Sequence, residues 1–319
     1  MERTRPVRLL RQSLIALLSL GATAGLAARQ PGAFAGAAEI PLIDTHSQVS
    51  ESVDLTKVIE LMDRGGVRRT ILSTQGRMRP TELVAFASKH PGRIIPAVSP
   101  RSKRRGFDEP AFLERQVKMG GFGAIAEVLI YHAQKGDRAP LVTADLDSPQ
   151  VEVPLALARR ERWPFILHIE FGAAGPRREE LMRALETMVA RYPEHPFVLI
   201  HMAQLDPSAV RSLIEAHGNL SFITSHANPI HGARSRGQQP WTNMFRVFGA
   251  GLSADWRALI VEHPTRFLLG LDNNSPEDWG EYYLSQLALW RKALAELPRG
   301  VAHALAHGNA ERLWRLPPL

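Results

Sequence analysis

The sequence has no cysteine among its 319 residues. Disulfide bonds, thiolate zinc sites and lipid attachment to an N-terminal cysteine are therefore excluded. Without disulfides the folded chain has to be stabilised by its core, and about 280 residues of ordinary apolar content can build one large core. Any metal site would have to use imidazole and oxygen ligands.

Beyond its N-terminus the sequence also lacks a long apolar run, an internal repeat and a low-complexity tract. No shift in composition marks a second domain. The absence of a long apolar run argues against a membrane-spanning helix in this part of the chain. We therefore expect one domain there.

The N-terminus has the order of features that is typical of a secretory signal peptide. Four arginines precede an uncharged apolar stretch, Ser13–Ala28, and Ala33-Phe34-Ala35 supplies small residues for cleavage. The arginines are not adjacent, so a twin-arginine signal is not supported. An uncleaved anchor is the alternative, but the stretch is short for a membrane span. We expect residues 1–35 to be the signal peptide and residues 36–319 a periplasmic or secreted domain with no stable membrane anchor.

The positive charge of the chain belongs largely to this N-terminus. The formal net charge is +7, and cleavage after Ala35 would remove five Arg and one Glu and leave +3. The composition of the expected mature domain therefore does not indicate a nucleic-acid partner.

Apolar runs typical of buried parallel strands alternate with helical stretches along the rest of the chain. The eight runs are Pro41–Asp44, Arg69–Ser73, Ile94–Ser99, Ala124–Glu127, Pro164–His168, Phe197–His201, Leu220–Ser225 and Phe267–Leu271. Eight strands with intervening helices predict an α/β fold, a single-domain (β/α)8 TIM barrel. A doubly wound open sheet is the alternative, but it would gather its ligands at one switch point. The longest irregular segment, Ala227–Val247, is expected to be a substrate-shaping loop.

Side chains of metal-ligand type end or follow five of these runs. They are His46, Glu127, His168, His201 and Asp272. The carboxyl ends of barrel strands meet at one rim, so these side chains are expected to lie close together. A lone histidine at a strand end is more often structural, but five such residues at equivalent places favour a shared site.

The residue types allow a division of roles at this rim. His46, His168 and Asp272 could hold one cation, with Glu127 as a fourth ligand or a bridge to a second ion. His201 could ligate a second ion or orient the attacking water. Asp272 would accept the proton of a water that the cation activates.

The sequence resembles the amidohydrolase superfamily from about Ile40 to its C-terminus, in the branch that includes small-molecule hydrolases and metal-dependent decarboxylases. The motifs that carry the resemblance are Ile43-Asp44-Thr45-His46, Gly121-Phe122-Gly123-Ala124-Ile125-Ala126-Glu127, His195-Pro196 followed by Val198-Leu199-Ile200-His201-Met202, Arg266-Phe267-Leu268-Leu269-Gly270-Leu271-Asp272, and Gly308-Asn309-Ala310-Glu311-Arg312-Leu313. The resemblance implies a TIM barrel in which His46, His168 and Asp272 are metal ligands. It also implies that His201 is a ligand or a water-orienting group. Glu127 would be a ligand standing where some branches carry a carboxylated lysine.

Gln48 is the departure from the family pattern, because His-x-His is usual where this chain has His46-Ser47-Gln48. An amide oxygen is a weaker donor than imidazole. The ion could be held by the other ligands with Gln48 distant, its affinity could be low, or the chain could be a metal-free binding protein on a relic site. The sequence favours a site that still binds metal over a metal-free relic site.

Several further residues are candidates for contact with a substrate. Glu170 would share the face of His168 if the strand continues, although pairing with an arginine is an equal alternative. His226 is a candidate pocket residue, whereas His231 is expected at the surface. Arg77 and Arg101 lie nearest the rim in two basic loops, and their guanidinium groups suit a carboxylate or phosphate.

The sequence thus predicts an exported metal-dependent hydrolase of a small ester, lactone or amide. Zinc is the expected metal, with one or two ions, and the small-molecule substrate could be anionic. A homo-oligomer is compatible with this prediction. A metal-dependent decarboxylase and a metal-free small-molecule binder remain the alternatives.

Overall fold

The computed structural model describes residues 40–100, 110–136, 139–236, 239–248 and 251–319. The predicted signal peptide, residues 1–35, and Arg101 lie outside the described residues. All the described residues belong to one compact unit.

Ten strands form two sheets in the described part of the chain. Their bounds are β1 Leu42–Val49, β2 Val67–Thr74, β3 Ile94–Val98, β4 Ala124–Ile125, β5 Val128–His132, β6 Val142–Thr143, β7 Phe165–Ile169, β8 Phe197–Leu199, β9 Leu220–Ile223 and β10 Phe267–Leu268. The strand orders are β1-β2-β3-β4 and β10-β9-β8-β7-β5-β6. All pairs are parallel except β5 with β6, which form a short antiparallel pair at the rim.

Backbone hydrogen bonds join the two sheets into a closed barrel. At one seam the amide of Ala126 donates to the carbonyl of Val98 at 2.8 Å, so β4 and β5 act as one barrel strand interrupted at residues 126–127. At the other seam the amide of Thr45 donates to Leu269 at 3.0 Å, and that of Asp272 donates to His46 at 2.7 Å. The predicted eight-stranded (β/α)8 barrel is therefore confirmed.

Helices follow the strands around the barrel. Their bounds are α1 Leu55–Gly65, α2 Pro80–Lys89, α3 Pro110–Met119, α4 Pro149–Glu161, α5 Arg178–Arg191, α6 Pro207–Ala216, α7 Pro229–Arg234, α8 Ala254–Glu262, α9 Glu281–Ala295, α10 Arg299–His303 and α11 Asn309–Trp314. The N-cap side chain accepts a backbone hydrogen bond in three of them. The carboxylate of Asp54 accepts from Thr56 N at 2.9 Å, that of Asp206 accepts from Ala209 N at 3.0 Å, and the amide oxygen of Asn228 accepts from His231 N at 3.0 Å. Each capping carboxylate satisfies a backbone amide that the first helical turn leaves free.

The alternation of side chains along each strand divides the core into two layers. Leu42, Phe165 and Leu167 face outward into the large cluster between strands and helices. Ile43 and Ile166 belong to a smaller cluster inside the barrel, to which the last helix adds Ala310, Leu313 and Trp314. Residues two apart share a face of a strand, so His168 also points to the interior, beyond Ile166.

Three expectations about elements are corrected. The run that ends at Glu127 continues, after a break, as β5, a strand that the sequence analysis missed. The strands predicted to end at His201 and Leu271 stop earlier, at Leu199 and Leu268, because the chain turns to present the next residues. The expected irregular segment 227–247 contains the short helix α7.

None of the helices that the structure describes is long and apolar enough to span a membrane.

Candidate active site

The carboxyl ends of the barrel strands bring all five predicted ligand-type residues to one rim. His46 lies on β1, and His168 lies on β7. Glu127 occupies the break between β4 and β5, while His201 and Asp272 follow β8 and β10. Each of the five is at most 5 % exposed. A buried group of three imidazoles and two carboxylates is expensive to desolvate, which favours a functional role.

Asp272 is the centre of one group of these side chains. Its Oδ1 lies 3.4 Å from His46 Nε2, and its Oδ2 lies 3.4 Å from His201 Nε2. His226 Nε2 is 3.6 Å from the same Oδ2. His201, His226 and Asp272 therefore form a compact set of potential metal ligands. His226, which the sequence suggested only as a pocket residue, is part of this set.

Gln48 faces the carboxylates of Glu127 and Asp272. β1 stays extended to Val49, so Gln48 lies on the same strand as His46. The amide nitrogen of Gln48 donates to Glu127 Oε1 at 3.1 Å and approaches Asp272 Oδ1 at 3.5 Å. Rotation of the amide by half a turn would present its oxygen instead, and hydrogen-bond partners decide between the two orientations.

His168 stands between two carboxylates. Its Nδ1 lies 2.7 Å from Glu127 Oε2, and its Nε2 lies 3.1 Å from Glu170 Oε1. Glu170 is buried and also accepts from Ala133 N at 2.7 Å. The expectation that Glu170 shares the interior face with His168 therefore agrees with the geometry, and its cationic partner is a lysine, Lys135, at 2.7 Å.

Burial and charge together set the protonation of the group. Burial lowers the pKa of His46, but the charges of Asp272 and Glu127 outweigh it and raise that pKa to about 9. Burial raises the pKa of Asp272, with His46 opposing the change. Burial, followed by the charges of neighbouring cations, lowers the pKa of His201 and His226 well below the usual range. Two of the imidazoles at Asp272 are thus neutral, the form that binds metal.

Burial also acts on Glu170, where it would raise the pKa. Hydrogen bonds and the charges of His168 and Lys135 outweigh that effect and lower the pKa of Glu170 to about 2. Glu170 is therefore an anion that needs a permanent cationic partner.

Hydrogen bonds orient two of the segments that carry these side chains. His201 Nδ1 lies 3.0 Å from Ser225 Oγ, which leaves Nε2 directed at Asp272. The buried carboxylate of Asp44 accepts from Ser47 Oγ at 2.6 Å and from Leu271 N at 3.0 Å, so it ties β1 to the segment that carries Asp272. Asp44 thus has a structural role next to His46.

The turn that carries His201 has an unusual backbone. His201, Met202, Ala203 and Gln204 all have φ between 53° and 56°. For residues other than glycine this left-handed conformation costs free energy, and it persists only where surrounding contacts hold it. Here the amide of Phe171 donates to Ala203 O at 3.2 Å, and that of Ala173 donates to Gln204 Oε1 at 3.0 Å.

A stack of imidazoles forms one wall of the site. The ring of His226 lies between those of His201, at 4.3 Å, and His231, at 3.6 Å, and it is almost parallel to both. Trp241 meets all three rings edge-on, with centroid distances of 4.8–5.3 Å. His231 also contacts the Tyr282 hydroxyl at 2.8 Å. The expectation of a surface His231 is wrong, because the short helix α7 places its imidazole against His226 and Trp241.

A cavity of about 540 Å³ opens beside Gln48 and Glu127. Much of its wall is apolar, from Met78, Phe112, Leu129, Pro140 and Val142. Arg77 lies at the cavity as the sequence suggested, with its side chain 86 % exposed and its Nε 4.0 Å from a carboxylate oxygen of Glu51. The exposed guanidinium of Arg77 leaves room for an anionic group to approach.

The sequence profile of the amidohydrolase family matches residues 28–316 of this chain. The chain belongs to the amidohydrolase family. The family comprises enzymes of hydrolase and lyase type that typically use a divalent metal. No curated protein sequence matches this amidohydrolase.

Solved structures share the barrel of this amidohydrolase at low sequence identity. An uncharacterised TIM-barrel protein from Bordetella bronchiseptica has 14% identity and a TM-score of 0.55, with 86% of this chain and 99% of that chain covered. A zinc-bound amidohydrolase from Burkholderia multivorans has 15% identity and a TM-score of 0.51, with coverages of 87% and 100%. The 4-oxalomesaconate hydratase of Rhodopseudomonas palustris has 14% identity and a TM-score of 0.50, with coverages of 86% and 95%.

Three residues of the rim were missed in the sequence. His132 ends β5, and the run Val128–Ile130 before it is itself an apolar run followed closely by a histidine, so a signal was present. Lys135 and Trp241 lie in loops, where no periodicity marks a residue that folds back over the barrel.

Proposed function

We propose that this amidohydrolase is an exported metal-dependent hydrolase that cleaves a small ester, lactone or amide. The observation that carries the proposal is the buried Asp272 carboxylate, which lies 3.4–3.6 Å from the Nε2 atoms of His46, His201 and His226. The adjoining cavity supports it, because its wall includes Glu127 and Gln48, and the amide of Gln48 approaches Asp272 at 3.5 Å. Export rests on the signal-peptide pattern of residues 1–35.

The donor set fits a divalent cation. Nε2 of His46 is buried and makes no hydrogen bond to the part of the chain that the structure describes. Two ligands of one tetrahedral zinc ion are about 3.3 Å apart, given bonds of about 2.0–2.1 Å. The 3.4 Å spacings around Asp272 are close to that value. Nitrogen and carboxylate donors suit zinc, so we propose that His46, His201, His226 and Asp272 hold it, with Glu127 and His168 adjacent.

When bound, such an ion lowers the pKa of water and polarises a carbonyl oxygen. The residues of this chain supply the rest of the proposed mechanism. Asp272 accepts the proton of the attacking water and passes it to the leaving group, and burial favours this role because it raises the pKa of the carboxyl. Ser225 keeps the His201 ring in place by its 3.0 Å contact with Nδ1.

The cavity indicates the kind of substrate. Its apolar wall suits a hydrocarbon or aromatic body, while the amide oxygen of Gln48 can accept a hydrogen bond from a substrate. Arg77 at the mouth would pair with a carboxylate or phosphate of the substrate. We therefore favour an anionic small molecule.

One observation favours a second candidate, a metal-free small-molecule binder. The Gln48 amide already bridges Glu127 and Asp272, at 3.1 and 3.5 Å from their oxygens, and so occupies space between the two carboxylates. An amide donor there offsets part of the anionic charge that would otherwise attract an ion.

The test combines metal analysis with activity. Protein purified without chelator should contain zinc and should hydrolyse members of a panel of aryl esters, lactones and anilides. Asp272→Asn keeps the shape but removes the proton acceptor and a negative ligand, so kcat should fall by about 100-fold or more and zinc content should drop. Asp147→Asn, at an exposed position, is the matched control and should resemble wild type.

Three other results would change the assignment. Wild-type protein without metal and without hydrolysis of any panel member would support the metal-free binder. Equal activity of Asp272→Asn and wild type would remove Asp272 from the reaction. Release of carbon dioxide from carboxylated substrates, in place of hydrolysis, would make the protein a lyase.

A further inference from the structure

A second group of metal-ligand side chains lies on the same rim, next to His168. It consists of His132 at the end of β5, His168 on β7, and Glu170 just beyond β7. One ligand atom from each of the three lies within 4.8 Å of the other two. Two imidazoles and a carboxylate form a complete set of protein ligands for a zinc ion with one open position.

A side-chain cation already contacts this group. Lys135 Nζ lies 2.7 Å from Glu170 Oε1 and 2.9 Å from His132 Nε2. An ammonium can only donate, so the His132 nitrogen that faces it must be an unprotonated acceptor, the form that would also bind a metal. The ammonium therefore uses two of the three ligands that an ion would use.

A third contact and burial also hold Lys135 in place. Its Nζ lies 4.9 Å from the centre of the Trp241 ring, close enough for a cation–π contact. The Lys135 side chain is only 23 % exposed, and that of Glu170 is 1 % exposed. A buried carboxylate must be paired, and Lys135 pairs with it together with His168.

We propose that Lys135 is a resident cation that fills a second metal site of the barrel. With its ammonium in place, His132, His168 and Glu170 hold no ion, and His168 stays oriented between Glu127 and Glu170. The expectation that wild-type protein binds one zinc rests on the proposed function at Asp272. The exchange of Lys135 for an ion does not depend on it.

The consequence is a centre with one exchangeable ion and one covalently tethered charge. Lysine delivers a single positive charge that cannot polarise a substrate oxygen as strongly as a divalent ion does. It also needs no metal supply. The sequence left open whether the site binds one ion or two. With Lys135 in the second site, the protein would bind a single ion.

The test is a count of bound ions. Full-length mature Lys135→Ala and wild-type protein are freed of metal, saturated with Zn²⁺ and analysed for metal content, and Co²⁺ absorption is recorded in parallel. Lys135→Ala removes the ammonium and leaves space, so it should bind one more equivalent of either ion than wild type. Lys135→Met removes the charge but fills the space, so it should gain none. Lys57→Ala, an exposed lysine in α1, should match wild type.

The origin of the extra equivalent is checked by a double variant. Lys135→Ala combined with Glu170→Gln removes a ligand and should lose the additional ion. An additional ion retained in the double variant would overturn the proposal, as would equal stoichiometry of a folded Lys135→Ala variant and wild type.

A measurement on wild type covers the case in which the variants do not fold. Crystals soaked in Zn²⁺ should show no anomalous peak in contact with Glu170, and a peak there would overturn the proposal. Failure of the proposed function has a different signature. Wild-type protein would then bind no zinc, while Lys135→Ala would bind one equivalent.

Discussion

At the scale of single residues, Gln48 distinguishes this site from one with the His-x-His pattern that is usual in the family. It lies on β1 with His46 and directs its amide at Glu127 and Asp272. The same backbone position would direct an imidazole into the same space. We therefore expect an amide in place of one imidazole to weaken metal binding without rearranging the site, since the other candidate ligands come from separate strands.

We predict that Gln48→His binds zinc about tenfold more tightly than wild type, because imidazole replaces a neutral amide. The gain should disappear as the pH falls below about 6.5, since protonated imidazole cannot ligate. Zinc titrations against a competing chelator at several pH values measure both effects. Gln150→His, which adds a histidine on the exposed face of α4, is the control. Unchanged affinity in Gln48→His would mean that residue 48 does not face the ion.

At the scale of elements, the ends of strands and helices determine where side chains point. β8 stops at Leu199 so that a left-handed turn can aim His201 at Asp272. The backbone is strained at this turn, and the strained conformation places His201 beside Asp272. Another left-handed residue, Arg162, lies at the C-terminus of α4, at the opposite end of the barrel from the site.

We predict that Arg162→Gly raises the free energy of unfolding by about 1 kcal/mol, because glycine adopts positive φ without a Cβ clash. Arg162 has φ 59° and is exposed, and α1 has Gly66 with φ 68° at the equivalent position. Denaturant unfolding measures the change. Arg162→Ala keeps the Cβ and should give no gain. An equal gain in both variants would assign the effect to the arginine side chain instead.

At the scale of the whole molecule, the proposed ion would join distant parts of the barrel. His46 and Asp272 flank the seam at which β1 meets the segment after β10, and His201 and His226 come from the next two loops. An ion bound only by the folded state stabilises that state by mass action.

Removal of metal should therefore lower the Tm of the whole domain. At zinc concentrations 100-fold above Kd the stabilisation is about 2.7 kcal/mol, which corresponds to a shift of several degrees. Differential scanning calorimetry with zinc and with excess chelator measures the shift. Asp272→Asn should show a smaller one. Identical Tm values with and without zinc would contradict a site across the seam.

The order of strands and the rim positions of the candidate ligand residues were predictable from sequence. Parallel strands buried on both faces give apolar runs that can be counted, and the residue after each run must lie at the carboxyl end. His46, Glu127, His168, His201 and Asp272 followed from that rule. β5 was missed because a break at residues 126–127 divides one barrel strand into two.

The tertiary structure alone decided which partner each of these side chains meets. Lys135 and Trp241 lie on loops, and His231 lies on the short helix α7 between two loops. The paths of such segments depend on long-range packing that no local period encodes. The division into an Asp272 group and a Glu170 group follows from side-chain directions at the rim. Sequence determined the barrel and the residues at its rim because strand periodicity is local. Only the folded chain determined the pairs among them, because those pairs join residues far apart in sequence.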